Sequence, residues 1–265
     1  MTFNYKMKGA ILIFSCEKHR NTRLREFGLS KREFNGWNVF TVFGNPFLST
    51  EFEIEDNIIT VRCEDSYLYV LKKVAMGMKA ILSLFPIEEG ILRCGDDLIY
   101  NEIALQKFLD GPKDAYMGVT WGRDPRAVEL GKHEDNFMWD YYRNHLEDFN
   151  NPLHGLPSPN TVRKMNQIPT VVAVSGVIIY FSKKACQAIV DHMESVHWDI
   201  LQYTEKYGYP YTIEDNSIGF ILRKADIYPT NALLYTDREH IFSQSNVIAL
   251  HTNRYKDSRD DSLAK

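Results

Sequence analysis

The chain has 265 residues, 44% of them hydrophobic and 25% charged, enough apolar mass for a core that needs no disulfide staples. A formal net charge of -4 and a pI near 6.1 argue against a dedicated nucleic-acid binder. The longest apolar stretch, "VVAVSGVIIYF", is about half as long as a membrane span, so no span is expected.

Cys16, Cys63, Cys94 and Cys186 are scattered, with no C-x-x-C pair and no histidine at zinc-finger spacing. Buried thiols in a reducing compartment are the expectation. The N-terminal stretch has lysines and a short apolar run but no small-residue cleavage site. These features lead us to expect a soluble, cytoplasmic protein.

In chain order, residues 9–16 ("GAILIFSC") form a continuous apolar run, as in a strand buried on both faces. A basic stretch at 17–27 reads as a loop entering a helix. Strands are expected at 37–44 ("WNVFTVFG") and 57–63 ("NIITVRC"). In 64–85, Leu71, Val74, Ala75, Met78, Leu82 and Phe85 recur at helical spacing, with Asp65 or Ser66 as the expected N-cap. A strand ends in "CGDD", and a short helix at 101–112 stops at Gly111 and Pro112.

Another strand is expected at 115–122. From 123 to 169 periodicity is lost, and long irregular excursions of this kind are usually functional. Trp121, Trp139, Tyr141 and Tyr142 offer flat faces for sugar rings or a plug under the loop. His133 and His154 read as surface histidines. Residues 171–182 read as a strand broken at Gly176. The helix at 182–196 turns Ala185, Ile189, Met193 and Val196 inward, and 214–227 reads as a short helix leading into a strand. The alternation predicts an α/β fold with a mostly parallel central sheet flanked by helices. Ligands then gather beyond the carboxyl ends of the strands, where the "GDD" lies.

Two readings stand for Asp96 and Asp97. Paired carboxylates after a strand suit a hard divalent cation that shares phosphate oxygens, or they face water on a turn bent at Gly95. Glu214 and Asp215 open a helix, which suits either a catalytic base or a dipole-favoured acidic first turn.

The order strand, "EDSY", amphipathic helix, strand, "GDD-apolar-apolar-x-N" resembles the beta-1,3-glycosyltransferase family, which includes galactosyl-, N-acetylglucosaminyl- and Fringe-like transferases. Asp65, Ser66, Tyr67 and Lys73 match its D-x-Y-x-N-L-T-x-K pattern, with Tyr69, Val70 and Leu71 replacing N-L-T. Arg93, Asp96, Asp97 and Asn101 match K-x-D-D-D-x-x-x-N, with Gly95 replacing the first aspartate. Gly176, Tyr180 and Ser182 match G-G-x-Y-x-x-S. Glu214, Asp215, Gly219 and Leu222 match E-D-V-x-x-G-x-x-L, and His251 lies late in the chain, as the family's metal-binding histidine does.

The resemblance implies a single GT-A domain over 1–265. It would have a Rossmann-like nucleotide-binding half (1–110), an acceptor half (111–253, with the irregular loop 123–169) and a polar tail (254–265). It also implies a hexosyltransferase that moves sugar from a UDP-sugar to a hydroxyl of a glycan or glycoprotein, using Mn2+ or Mg2+. Asp97 and His251 would hold the metal, with Asp96 beside them on the ribose or a metal-bound water. Asp215 would be the base of an inverting reaction, with Glu214 as the runner-up. Ser15, Arg20, Arg23, Asp65, Lys73, Arg93 and Gly176 would meet the nucleotide sugar. For Ser15 and the arginines a solvated basic loop is the alternative; for Asp65, a cap; for Lys73, a carboxylate partner. A retaining enzyme and a non-catalytic nucleotide-sugar or carbohydrate binder remain the alternatives in function. Golgi members of the family carry an N-terminal anchor and luminal disulfides; with neither expected here, a cytoplasmic enzyme, bacterial or virus-encoded, is the expectation.

Overall fold

A computed structural model describes residues 6–66, 69–120, 128–131, 168–200, 211, 213–244 and 246–252. The strands are β1 (Met7–Phe14), β2 (Glu33–Phe34), β3 (Trp37–Gly44), β4 (Phe52–Glu55), β5 (Ile58–Val61), β6 (Ile87–Cys94) and β7 (Leu98–Tyr100). They continue with β8 (Tyr116–Thr120), β9 (Val128–Gly131), β10 (Ile168–Val171), β11 (Val174–Ser182), β12 (Thr230–Asn231), β13 (Tyr235–Thr236) and β14 (Ala249–His251). The helices are α1 (Arg23–Glu26), α2 (Val70–Leu84), α3 (Glu102–Asp110), α4 (Lys183–Ser195), α5 (Glu214–Lys224) and α6 (Glu239–Gln244). None of the described helices is long and apolar enough to cross a membrane.

Along β1, Ala10, Leu12 and Phe14 enter one hydrophobic cluster while Ile11 and Ile13 enter another. Successive side chains of a strand point to opposite faces, so a strand covered on both sides must be apolar throughout. The first cluster takes in residues of α2, α4 and α5. The second takes Leu105 and Leu109 of α3 together with Leu234, Ile248 and Ala249. The expected α/β architecture is therefore present: a large sheet with helices on its faces.

The described central sheet has nine strands in the order β12-β8-β11-β6-β1-β3-β5-β4, with β2 added beside β3. Six of them run one way; β2, β4 and β11 run against them. The chain passes from β1 to β3 and β5 on one side. It then crosses by α2 to β6 on the other. The strand order thus reverses between β1 and β6, and their carboxyl ends open the crevice where α/β sheets bind ligands. Gly90 permits the close approach of β6 and β11, because a Cβ there would lie 2.0 Å from the Phe181 carbonyl oxygen.

Several local expectations change. Tyr69 is the N-cap of α2 and makes no side-chain cap bond, so neither Asp65 nor Ser66 caps that helix. β11 continues through Gly176 as one strand, but its register against β8 shifts between Val174 and Ile179 and its pairing with β6 begins at Ile178. The expected break at Gly176 is therefore an irregularity in the ladder, and the gap at 172–173 separates β10 from β11. Within the excursion at 123–169, β9 pairs antiparallel with β10. Trp121, Trp139, Tyr141, Tyr142, His133 and His154 lie outside the described residues, as do Tyr67 and the polar tail. No disulfide joins the four cysteines, and Cys63, Cys94 and Cys186 are buried. Burial pushes the Cys63 and Cys94 thiols up to about 12.

Candidate active site

Just past the end of β1, Ser15 donates its hydroxyl to Asp96 Oδ2 at 2.6 Å. Arg23, at the start of α1, reaches the other oxygen of Asp96 with Nη1 at 3.1 Å and lies 3.8 Å from Asp97 Oδ2. Asp96 is 8% exposed and turned inward. Its neighbour Asp97 faces His251, with Nε2 3.3 Å from Oδ2. Two adjacent carboxylates are tolerated because a hydroxyl, a guanidinium and an imidazole surround them.

His251 reaches this point on β14, which pairs with β7 directly after the aspartates (His251 opposite Leu98). The backbone N–H of Thr252 donates to the Asp97 carbonyl at 3.0 Å. The other ring nitrogen, Nδ1, lies 2.8 Å from Asp237 Oδ1. Burial alone would raise the Asp97 pKa, but the His251 hydrogen bond and the charges of His251 and Arg23 outweigh it and hold the carboxyl below its ordinary value. The same hydrogen bond, against the opposing effect of burial, raises His251 above its ordinary value.

Asp65 gathers three partners. Oδ1 accepts from Lys73 Nζ at 2.5 Å and from the Gly44 N–H at 3.2 Å, and Oδ2 accepts from the Glu17 N–H at 2.8 Å. Lys73 is 4% exposed and also donates to the Ser15 carbonyl at 2.8 Å. These bonds brace the backbone of Ser15 from below. Arg20 lies over the Phe43 ring at 4.1 Å and pairs with Glu17 through Nε.

The second carboxylate pair sits across β6. Arg93 grips Glu214 in a two-pronged bond, Nε to Oε1 at 2.9 Å and Nη2 to Oε2 at 2.8 Å, with both groups buried. Burial pushes the Glu214 carboxyl up to about 7, Arg93 opposing and the Asp215 charge adding to the rise. Asp215 accepts from the Gly176 N–H at 3.1 Å. The next residue, Val177, accepts the Gly95 N–H through its carbonyl at 3.0 Å. Asp215 is thereby tied to the same turn that carries Asp96 and Asp97. A Cβ at Gly95 would come within 2.9 Å of Asp97 Oδ1, so a third acid there would require the Asp97 carboxylate to move.

All twelve candidate residues thus join one connected network, in different capacities. Ser15, Arg23, Asp96, Asp97 and His251 form one chain of contacts; Asp65 and Lys73 brace it; Arg93 and Glu214 face each other in the interior; Asp215 accepts from Gly176; Arg20 lies on Phe43. Asp237 and Glu17 were not expected from the sequence, and no local motif marks either. Among the described residues no three His, Cys, Asp or Glu side chains form a cation cage. Asp97 Oδ2 and His251 Nε2 nevertheless supply a hard oxygen and a borderline nitrogen on one point, a donor pair that fits a divalent transition cation completed by ligand oxygens.

No family model matches the chain, and no curated protein matches it. Among solved structures it is similar to mouse xyloside xylosyltransferase 1 in its apo form, with a TM-score of 0.39 and 10% sequence identity, over 92% of this chain and 97% of that one.

Proposed function

We propose that the chain is a metal-dependent glycosyltransferase that moves a hexose from a UDP-sugar to a hydroxyl of a glycan or glycoprotein, with inversion. The observation that carries this reading is the meeting of Asp96, Asp97 and His251 at the strand-order reversal, with Asp215 tied to the same turn. Asp97 and His251 would hold Mn2+ or Mg2+. When bound, the cation supplies electrostatic stabilisation of the charge that grows on a diphosphate leaving group. Arg23 adds fixed positive charge on the same side. Asp96, already engaged by Ser15 and Arg23, fixes the wall on which the nucleoside rests.

Asp215 is the base. It takes the proton of the acceptor hydroxyl as that oxygen attacks the anomeric carbon, and the bond from that carbon to the diphosphate breaks on the opposite face. Arg93 and Glu214 hold the first turn of α5, where Asp215 accepts from the Gly176 N–H.

A thermal-shift panel of UDP-, GDP- and dTDP-sugars with and without Mn2+ tests the proposal. A UDP-specific, Mn2+-dependent rise is expected, equivalent to about 2.7 kcal/mol at a ligand concentration 100 times Kd. Asp97→Ala should lose the metal dependence. Asp215→Asn should keep binding and lose transfer. No shift with any nucleotide would sink the reading.

A further inference from the structure

The register of a small parallel ladder brings an unexpected residue to His251. β13 pairs with β14 so that Tyr235 lies opposite Ala249 and Thr236 opposite Leu250. Continued by one residue, that register sets Asp237 beside His251, and Asp237 Oδ1 lies 2.8 Å from Nδ1. The Tyr235 ring meets the imidazole edge-on, at 6.0 Å between centroids and 83° between planes. Tyr235 is itself fixed by a 2.8 Å bond between its hydroxyl and Ser175 Oγ. The imidazole is therefore oriented from three sides, counting Asp97.

A neutral imidazole offers one N–H and one lone pair. The 2.8 Å contact to Asp237 is at the usual length of an N–H···O bond, and the 3.3 Å contact to Asp97 is beyond it. When the neutral ring carries its proton on Nδ1, Nε2 and Asp97 Oδ2 face each other as two acceptors, and a cation between them, either the proton of the hydrogen-bonded state or a metal ion, satisfies both.

We propose that Asp237 is a positioning residue. It takes the Nδ1–H of His251 and so leaves the Nε2 lone pair directed at Asp97, making the two side chains a prepared two-donor seat for a divalent cation. A hydrogen-bonded carboxylate behind a histidine ligand fixes its tautomer and raises its basicity. The inference rests on the metal centre of the proposed function, and its test separates the two. Asp237 is more than half exposed, so replacing it leaves the core intact.

The test compares the full chain with Asp237→Ala, Asp237→Asn and Asp97→Ala. Mn2+ affinity is read by electron paramagnetic resonance in the presence of UDP. The His251 tautomer is read from ring 15N shifts without metal at about pH 9, above the usual histidine range. Asp237→Ala should lose roughly 10–100-fold in Mn2+ affinity with an unchanged melting temperature. Asp237→Asn should keep most of the affinity, because its amide oxygen still accepts the N–H. Wild type should carry the proton on Nδ1, and Asp237→Ala should show a mixture. An Nε2–H tautomer in wild type, or an Asp237→Ala variant with unchanged tautomer and affinity, overturns the proposal. If wild type binds no Mn2+, the metal reading falls and the tautomer alone decides what Asp237 does.

Discussion

Arg93 and Glu214 bury opposite charges within hydrogen-bond reach, 121 positions apart in the chain. Removing one partner of such a pair strands the other in the interior, whereas replacing both with apolar groups removes the desolvation cost as well. Arg93→Met should cost about 3–5 kcal/mol in denaturant unfolding, and Arg93→Met with Glu214→Met should recover most of that loss. A double variant no more stable than the single one would show that the pair does not act as a unit. His192 makes a different case. Its Nε2 lies 2.7 Å from the Tyr211 hydroxyl, and burial, with the Lys224 charge adding, lowers its pKa from 6.5 to about 4. Above pH 6.5 both folded and unfolded states carry the neutral ring. Between 6.5 and about 4 the unfolded chain takes up a proton that the folded state refuses, so stability falls as pH falls. The melting temperature of wild type should decline more steeply over that window than that of His192→Gln. The sequence exposed the charged residues of the site but not their partners. Arg93 reads as a ligand contact until Glu214 is seen against it, and Asp65 reads as a cap until its three donors are counted.

Elements with long apolar patterns were legible. β1, β3, α2 and α4 follow runs or helical spacings that admit few alternatives, and the buried set of α4 includes Ala185, Ile189 and Met193. Helix α3 shows how much a single polar residue can fix. Asn101 Oδ1 accepts from the Ala104 N–H at 3.1 Å, satisfying a donor that the first helical turn leaves open. Asn101→Ala should cost about 1 kcal/mol, measured by thermal or denaturant unfolding, while Asn101→Asp should cost less. The short strands were not legible. β12 and β13 have two residues each and β14 has three, too few to display a period, and what selects them is pairing with distant chain. β4 carried a readable signal in the alternation "FEIE" before the turn at Asp56, which has φ of 54°. Its outward Glu53 and Glu55 charge the sheet edge and discourage pairing with a second chain.

Across the whole molecule, the site draws on residues from Ser15 to His251, so α/β class and strand ends were predictable while the closing of the network was not. His251 does not stand on the nine-stranded sheet. It stands on β14, in a separate sheet of three strands with β7 and β13. Three residue pairs, Ala249 with Tyr100, Leu250 with Ile99 and His251 with Leu98, hold it against β7. A ladder that small can open without global unfolding. Each opening would take one donor out of the seat, and the observed affinity would be the intrinsic one scaled by the closed fraction. Amides of β14 and β7 should exchange hydrogen faster than those of β1 and β6, and UDP with Mn2+ should slow the former selectively. Equal exchange in the two sheets would remove this account. Under the proposed function, β14, the last of the described strands, acts as a latch, and ligand binding and local folding at that edge would be one equilibrium.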